Sequence, residues 1–251
     1  MGEGRDTGNV SVRGVNHSNA EAVEPTSDEE TMNVAEQSLQ IPADSVVLDA
    51  DLAVPQVAGG VVLFAHGSGS SRHSPRNRFV ARELQHSGLA TVLADLLTPP
   101  EEEVDARTGQ LRFDIGLLAC RVTALTDWLA EHRPITGLPV GLFGASTGAA
   151  AALVAAAARP ASVATVVSRG GRPDLAGDHL RSVRQPTLLI AGALDTVVIE
   201  LNRQAMQELN GEVRLEIVAG ASHLFEEPGA LEQVARLARD WFTHHLKPGS
   251  P

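Results

Sequence analysis

Short apolar segments alternate with helical patterns along most of the chain, from about residue 45 onward. Seven segments predict β-strands. Residues 45–54 alternate between apolar and polar positions, and short apolar segments follow at 60–65, 90–97, 140–143, 163–167, 187–191 and 213–218. Apolar residues at helical spacing predict helices between them, at 76–86, 113–132, 147–158, 198–209 and 231–246. Strands that are apolar throughout and separated by helices are typical of a parallel sheet covered on both faces. The sequence therefore predicts an α/β fold with a mostly parallel sheet of seven to eight strands.

Residues 1–37 have a different character. They are rich in Gly, Ser, Asn and Glu, contain no aromatic residue and show no hydrophobic period. Such a segment has no apolar face whose burial would offset the entropy of ordering it. We expect a disordered acidic tail at 1–37 and one folded domain at 38–251.

The charge of the chain narrows the classes of partner. Its formal net charge is −11, and residues 1–36 hold eight of the 31 acids against two arginines. An acidic chain without a basic run repels phosphate backbones and anionic bilayers, so we expect neither nucleic acid nor a membrane as a partner. There is no 18-residue apolar run and no signal-peptide pattern, which favours a cytoplasmic protein that acts on a small molecule.

The single cysteine, Cys120, rules out an internal disulfide and a cysteine-based metal site. It lies in a helical pattern between apolar neighbours, and we expect it to be a buried small side chain.

Polar residues follow the predicted strands at the points where each strand ends. The carboxyl ends of parallel strands meet at one edge of the sheet, where such proteins bind their ligands. The residues found there are 66–70 (HGSGS), Asp95, Ser146, 168–172 (SRGGR), Asp195 and His223.

Ser146 lies in the sequence GASTG, between a predicted strand and a predicted helix. Gly-x-Ser-x-Gly in this position is typical of a sharp turn that exposes a nucleophilic serine, since bulky neighbours would clash there. A glycine-rich bend with an incidental serine has the same pattern. The partners that a nucleophilic serine needs decide between the two interpretations.

A serine hydroxyl is a weak nucleophile until an imidazole takes its proton, and a carboxylate must hold that imidazole in the right tautomer. Asp195 ends the run LLIAGALD, and His223 lies further on in VAGASHLF. Both follow predicted strands, in the chain order in which such triads occur. Asp195 could instead cap the helix that begins near residue 197, and His223 could be a surface histidine. Asp174 and Asp178 are rival carboxylates, but neither directly follows an apolar strand.

The segment HGSGSS, which begins at His66, is the candidate oxyanion loop. A glycine-rich loop in this place donates a backbone N–H to the negative oxygen that forms during acyl transfer. We predict that the N–H groups of Ser68 and Thr147 are the donors. A phosphate-binding loop is the alternative, but the Lys-Ser/Thr pair of a P-loop and the pattern G-x-G-x-x-G are both absent from the sequence.

Arginines follow the oxyanion loop and the strand after Ser146. Arg72 and Arg76 come after the oxyanion loop, and Arg169 and Arg172 come after the strand at 163–167. We expect both pairs at the mouth of one pocket. The guanidinium fork suits a carboxylate or phosphate, so we predict that Arg72 or Arg169 binds an anionic group of the substrate. The alternative is ordinary solvated ion pairs of little energetic value, for which Asp174 is a ready partner.

With GASTG, LLIAGALD and GASHLF in place, residues 45–246 resemble the α/β-hydrolase superfamily and, within it, the small lidless dienelactone hydrolase-like group. The stretches HGSGSSRHSPRN and VVSRGGRPDLAG are similar to a bacterial hydrolase domain that is sometimes fused to a phosphoribosyltransferase. The resemblance implies an eight-stranded sheet with one antiparallel strand, a triad of Ser146, Asp195 and His223, no cofactor and no metal. The family's namesakes use a cysteine nucleophile where this chain has serine, so lactone hydrolysis does not carry over.

These observations favour a serine hydrolase that acts on a small or medium ester-like substrate. About 19 residues separate the strands at 163–167 and 187–191, too few for a cap domain, so we expect a site roofed only by loops such as 98–110. A hydrolase-fold binding or regulatory module without turnover is the first alternative, with a separate phosphoribosyltransferase as its partner. Acyl transfer to an acceptor other than water would use the same residues, and assembly into a homo-oligomer stays open.

Overall fold

The computed structural model describes residues 34–246. The first described strand begins at Val34, so regular structure is already present four residues before the boundary expected at residue 38. The rest of the predicted acidic tail, residues 1–33, lies outside the described residues.

Strands and helices alternate along the described part. The strands are β1 (Val34–Ala43), β2 (Val46–Pro55), β3 (Gly60–Ala65), β4 (Leu89–Ala94), β5 (Val140–Ala145), β6 (Val163–Arg169), β7 (Thr187–Gly192) and β8 (Val213–Val218). The helices are α1 (Pro75–His86), α2 (Pro99–Thr108), α3 (Ile115–Glu131), α4 (Thr147–Ala158), α5 (Thr196–Glu208) and α6 (Ala230–His245). Short 3-10 helices occupy Leu111–Phe113 and Pro173–Ser182.

The eight strands form one sheet in the order β1-β2-β4-β3-β5-β6-β7-β8. β2 runs antiparallel to β1 and to β4, and all the other neighbouring pairs are parallel. The eight-stranded sheet with one antiparallel strand, implied by the sequence resemblance, is confirmed. The carboxyl ends of β3 and β5–β8 therefore lie along one edge.

Helices cover both faces of the sheet. α3 and α4 pack on one face, and α1 and α6 pack on the other. β3, β4, β5 and β7 are buried at every position, which explains why their sequences are apolar throughout instead of alternating. Nine of the twelve residues of α4 are buried, and the short side chains of its alanines let it lie close to the strands.

Three features differ from the sequence-based expectations. The edge strand β1 was not predicted, because most of its side chains are exposed and carry no clear apolar pattern. Residues 98–110, expected as a loop, contain the helix α2. Cys120 was expected to be buried, but it lies on the outer side of α3 and is exposed.

No cap domain interrupts the described fold between β6 and β7. The residues between these two strands form only the 3-10 helix Pro173–Ser182 and short connections. The carboxyl edge of the sheet is thus covered by loops and by α2.

Candidate active site

Ser146 occupies a turn between β5 and α4. Its backbone has φ 50° and ψ −121°, and residues other than glycine rarely adopt a positive φ. Strained backbone of this kind is found mainly at functional sites. The turn places Ser146 at the carboxyl edge of the sheet, immediately before α4 begins at Thr147.

Two glycines make room for this turn. A Cβ on Gly148 would overlap the carbonyl oxygens of Ala65 and His66, and a Cβ on Gly144 would overlap the backbone of Ala149. The helix therefore passes directly beneath the turn and against the end of β3. Glycine is required at both positions because nothing larger permits this approach.

His223 and Asp195 meet at the ends of neighbouring strands. His223 follows β8 and Asp195 follows β7, and the Nδ1 of His223 lies 2.7 Å from the Oδ2 of Asp195. The other carboxylate oxygen, Oδ1, accepts a hydrogen bond from the N–H of Val198 at 3.4 Å, so Asp195 also caps α5. The two interpretations of Asp195 that the sequence allowed are therefore compatible in one side chain.

The rival carboxylates lie elsewhere. Asp174 binds the guanidinium of Arg172 through both oxygens, at 2.8 and 2.7 Å. The side chain of Asp178 is fully exposed. Neither contacts His223.

The residues at the end of β6 lie next to both Ser146 and the loop that carries His223. The carbonyl of Arg169 accepts the N–H of Ser146 at 3.3 Å. A Cβ on the next residue, Gly170, would lie 3.6 Å from the Cε1 of His223. Within residues 34–246 the Ser146 hydroxyl makes no hydrogen bond to the His223 ring. In enzymes without bound substrate, the hydrogen bond between a nucleophile and its base is often long or poorly aligned.

A cavity of about 330 Å³ lies beside the predicted oxyanion donors, and both Ser68 and Thr147 line it. The loop is close to Ser146, since a Cβ on Gly67 would lie 2.9 Å from the Cβ of Ser146. Thr147 is the first residue of α4, so its N–H has no partner within the helix. The positive end of the helix dipole favours negative charge at the same place.

α2 and the residues after it close this cavity. Glu102, Asp105 and Arg112 line it. The N–H of Arg112 donates to Asp105 at 2.9 Å, and its Nε donates to the same carboxylate at 2.6 Å. Partial burial, followed by the charge of Asp95, raises the pKa of Glu102.

None of these three cavity residues was identified from the sequence. The signal that could have found the helix carrying them is Thr98-Pro-Pro-Glu101, a capping box whose two hydrogen bonds both form.

The two arginines predicted to bind substrate have different surroundings. The N–H and the guanidinium of Arg72 both bind Asp95, so the charge of this side chain is already paired. Its predicted role as an anion contact is therefore not supported.

Arg169 is 8% exposed and lies with its guanidinium carbon 5.9 Å from the centre of the Phe225 ring. Its Nη2 donates to Asn77 at 3.4 Å, while Nε and Nη1 have no hydrogen-bond partner within residues 34–246. Burial, and then the charge of Arg76, lowers the pKa of Arg169 to about 10.

Residues 34–246 lack two other kinds of feature. Within 34–246, no group of three or more His, Cys, Asp or Glu side chains is arranged to hold a metal ion. No helix in that part of the chain is long and apolar enough to cross a membrane.

Known proteins match both the sequence and the fold. The profile of the dienelactone hydrolase family matches residues 48–246. A dienelactone hydrolase from Anabaena variabilis is 57% identical, with a TM-score of 0.84, over 85% of this chain and 99% of that one. Est1E from Butyrivibrio proteoclasticus shares the fold at 15% identity, with a TM-score of 0.69 over 83% of this chain and 98% of that one.

A longer relative comes from Mycobacterium tuberculosis strain H37Rv. It is 57% identical over 211 residues, which are 84% of this chain and 47% of the relative. Its provisional name is phosphoribosyl transferase. The chain thus spans about half the length of this relative.

Proposed function

The chain belongs to the dienelactone hydrolase family, and on that basis we propose that it is a serine hydrolase that cleaves a small or medium carboxylic ester or a related acyl bond. The observation that carries the proposal is the 2.7 Å contact between His223 and Asp195, at the edge of the sheet where Ser146 occupies its strained turn. A base held by a carboxylate near a half-buried serine hydroxyl at the same edge of the sheet fits what serine activation requires.

In the first half-reaction, the Oγ of Ser146 attacks the acyl carbonyl carbon while the Nε2 of His223 takes the hydroxyl proton. Asp195 accepts the Nδ1–H of His223, which leaves Nε2 free to act as the base, and its charge stabilises the imidazolium that forms. The N–H groups of Ser68 and Thr147 bind the oxyanion. The leaving alcohol then takes the proton from His223, and the acyl group stays on Ser146.

In the second half-reaction, water attacks the acyl-enzyme and His223 again accepts the proton. Collapse of the oxyanion breaks the bond to Ser146, whose Oγ takes the proton back from His223, and the acid is released. Acyl transfer follows the same steps with another acceptor in place of water. The size of the cavity, about 330 Å³, is at the lower end for ligand sites and favours a small or medium acyl group.

The name of the mycobacterial relative suggests a second function, phosphoribosyl transfer. We assign that name to the part of the relative outside the match, because the family profile covers most of this chain and the relative is about twice as long. A regulatory partner of a phosphoribosyltransferase is the version of this idea that suits the hydrolase fold. It requires no turnover and no reactive serine.

A buried arginine supports an anionic group on the substrate. Arg169 follows Ser146 by one strand, and two of its nitrogens have no hydrogen-bond partner within residues 34–246. Unpaired buried N–H groups are costly, and a carboxylate or phosphate on the substrate would satisfy them. We therefore keep Arg169, and not Arg72, as the proposed anion contact.

The test of this contact compares a carboxylated ester with its neutral methyl analogue in wild type, Arg169→Met and Arg172→Met. Arg172 is the matched control, because Asp174 already holds its guanidinium. Wild type should favour the anion, and Arg169→Met should raise KM for the anion alone, by about 10–100-fold for a lost charged hydrogen bond. Equal KM values for both esters in wild type would remove Arg169 from the site.

The proposed function is tested with a panel of acyl p-nitrophenyl esters, thioesters and lactones, using wild type beside Ser146→Ala. Turnover that disappears in Ser146→Ala supports the serine hydrolase. A new ester formed when an alcohol is added would identify acyl transfer. Absence of turnover on the whole panel, with pyrophosphate released from phosphoribosyl pyrophosphate, would replace the proposal with phosphoribosyl transfer.

A further inference from the structure

From here on, the oxyanion loop is taken to include Arg72, the residue that follows HGSGSS, and so to span residues 66–72. A buried histidine, His66, holds its first residue in place. The Nε2 of His66 accepts the N–H of Leu96 at 3.0 Å, and its Nδ1 lies 2.9 Å from the carbonyl of Gly67. These two contacts require a neutral ring with its proton on Nδ1. The start of the loop is thereby joined to the segment that follows β4.

The last residue of the loop is held by one carboxylate. The Oδ1 of Asp95 accepts the N–H of Arg72 at 2.7 Å, and its Oδ2 binds the Arg72 guanidinium. Asp95 is 8% exposed and comes directly after β4. One side chain therefore holds both the backbone and the side chain of the residue that ends the loop.

Two further acids, both on β2, lie near the guanidinium of Arg72. The guanidinium of Arg72 lies 3.8 Å from a carboxylate oxygen of Asp49 and 3.8 Å from one of Asp51. Arg78 donates to Asp51 at 3.3 Å. If Asp95 is replaced, the guanidinium therefore keeps two acidic neighbours, whereas the N–H of Arg72 loses its acceptor.

Between these two ends the loop is rich in glycine, which leaves its backbone conformationally free. It contains Gly67 and Gly69, and Gly69 has φ 67°. Its internal backbone hydrogen bond, from Ser70 to Gly67, measures 3.2 Å. The N–H of Ser68, which lies in this stretch, must stand 2.7–3.1 Å from the developing oxyanion to stabilise it.

We propose that Asp95 is a positioning residue for the oxyanion loop: by holding Arg72 at its end, it directs the N–H of Ser68 toward the oxyanion formed at Ser146. The inference rests on the proposed function, because it takes Ser68 as an oxyanion donor. Loss of the tether changes transition-state stabilisation more than ground-state binding, since the ground-state carbonyl needs the donor less.

The experiment compares wild type with Asp95→Ala, Asp95→Asn and the control Asp51→Asn. Asp51→Asn also removes a negative charge beside Arg72, but Asp51 makes no contact with the loop backbone. Two ketone inhibitors of similar shape distinguish an effect on oxyanion binding from an effect on ground-state binding. A trifluoromethyl ketone adds to the serine and forms an oxyanion, whereas the matching methyl ketone binds without forming one.

In Asp95→Ala we expect kcat to fall by about 100-fold, the scale for loss of one oxyanion donor, with KM little changed. Affinity for the trifluoromethyl ketone should fall in step with kcat, and affinity for the methyl ketone should not. Asp95→Asn should lose less, because its carboxamide oxygen can still accept the N–H of Arg72. Asp51→Asn should behave as wild type.

If both Asp95 variants melt at a lower temperature yet keep the wild-type ratio of the two inhibition constants, the network only stabilises the fold and the positioning role is wrong. In that outcome the proposed function stands. If wild type hydrolyses no ester and binds both ketones equally, the proposed function fails and the inference fails with it.

Discussion

Replacing Asp195 separates its two contacts, because Oδ2 binds the His223 ring while Oδ1 caps α5. In Asp195→Asn the carboxamide can still accept the N–H of Val198, but the imidazolium loses its counter-charge and the required tautomer is no longer favoured. We expect kcat to fall by about 10⁴-fold, the scale for this change in serine hydrolase triads. Asn caps a helix about as well as Asp, so the free energy of unfolding should hardly change.

Asp195→Ala removes both contacts. Turnover should fall by about the same 10⁴-fold, and loss of the cap should cost about 1 kcal/mol of unfolding free energy. For a domain of this size that corresponds to a Tm lower by roughly 2–4 °C. The assays are kcat on the best ester of the panel and Tm by circular dichroism.

Asp174→Asn is the control, since Asp174 binds Arg172 and makes no contact with His223. It should keep wild-type turnover. The reasoning is refuted if Asp195→Asn retains near wild-type kcat, because Asp195 would then be only a helix cap. Loss of activity in Asp174→Asn alone would move the orienting role to Asp174.

Three further outcomes are expected. Burial lowers the pKa of His66 below its ordinary 6.5, so the unfolded chain binds the proton more readily and the free energy of unfolding should fall as pH drops below 6.5; an NMR titration of the ring that gives 6.5 or higher would contradict this. Deleting residues 2–33 should leave Tm and turnover unchanged, whereas deleting 2–43 removes β1 and should lower Tm; a large Tm loss in the first deletion would count against a disordered tail. Gly148→Ala should yield little soluble, active protein, because the new Cβ would overlap the carbonyl oxygens of Ala65 and His66 at the end of β3. Normal expression and turnover of this variant would show that the turn tolerates a larger residue than its packing indicates.

Buried strands were the part of the fold that the sequence predicted well. The predicted range 60–65 coincides with β3, and the ranges 140–143, 163–167 and 187–191 lie within β5, β6 and β7, because buried strands are short apolar runs between polar breaks. The predicted range 213–218 coincides with the edge strand β8, although most of its side chains are not buried. β1 was not predicted, because this edge strand pairs only with β2 and exposes most of its side chains, which gives it no clear apolar pattern. α2 escaped because it has almost no apolar face, although its capping box was visible in the sequence.

The candidate triad was also predictable, since Ser146, Asp195 and His223 each stand just after a strand whose position the apolar runs define. The environments of the arginines were not. Arg72 binds Asp95, which follows β4, and the sequence alone does not show which carboxylate a loop arginine will contact. Cys120 shows the same limit, because helical spacing indicates a helix but not which side of α3 a borderline residue takes.

The central claim, that Ser146 is a base-activated nucleophile, is tested most directly by covalent labelling. A fluorophosphonate reacts readily only with a serine whose proton a neighbouring base removes. Mass spectrometry of the digested protein should find one adduct, on the peptide that contains Ser146, and both Ser146→Ala and His223→Ala should remain unlabelled. Labelling at a different serine, or equal labelling of wild type and Ser146→Ala, would contradict the account.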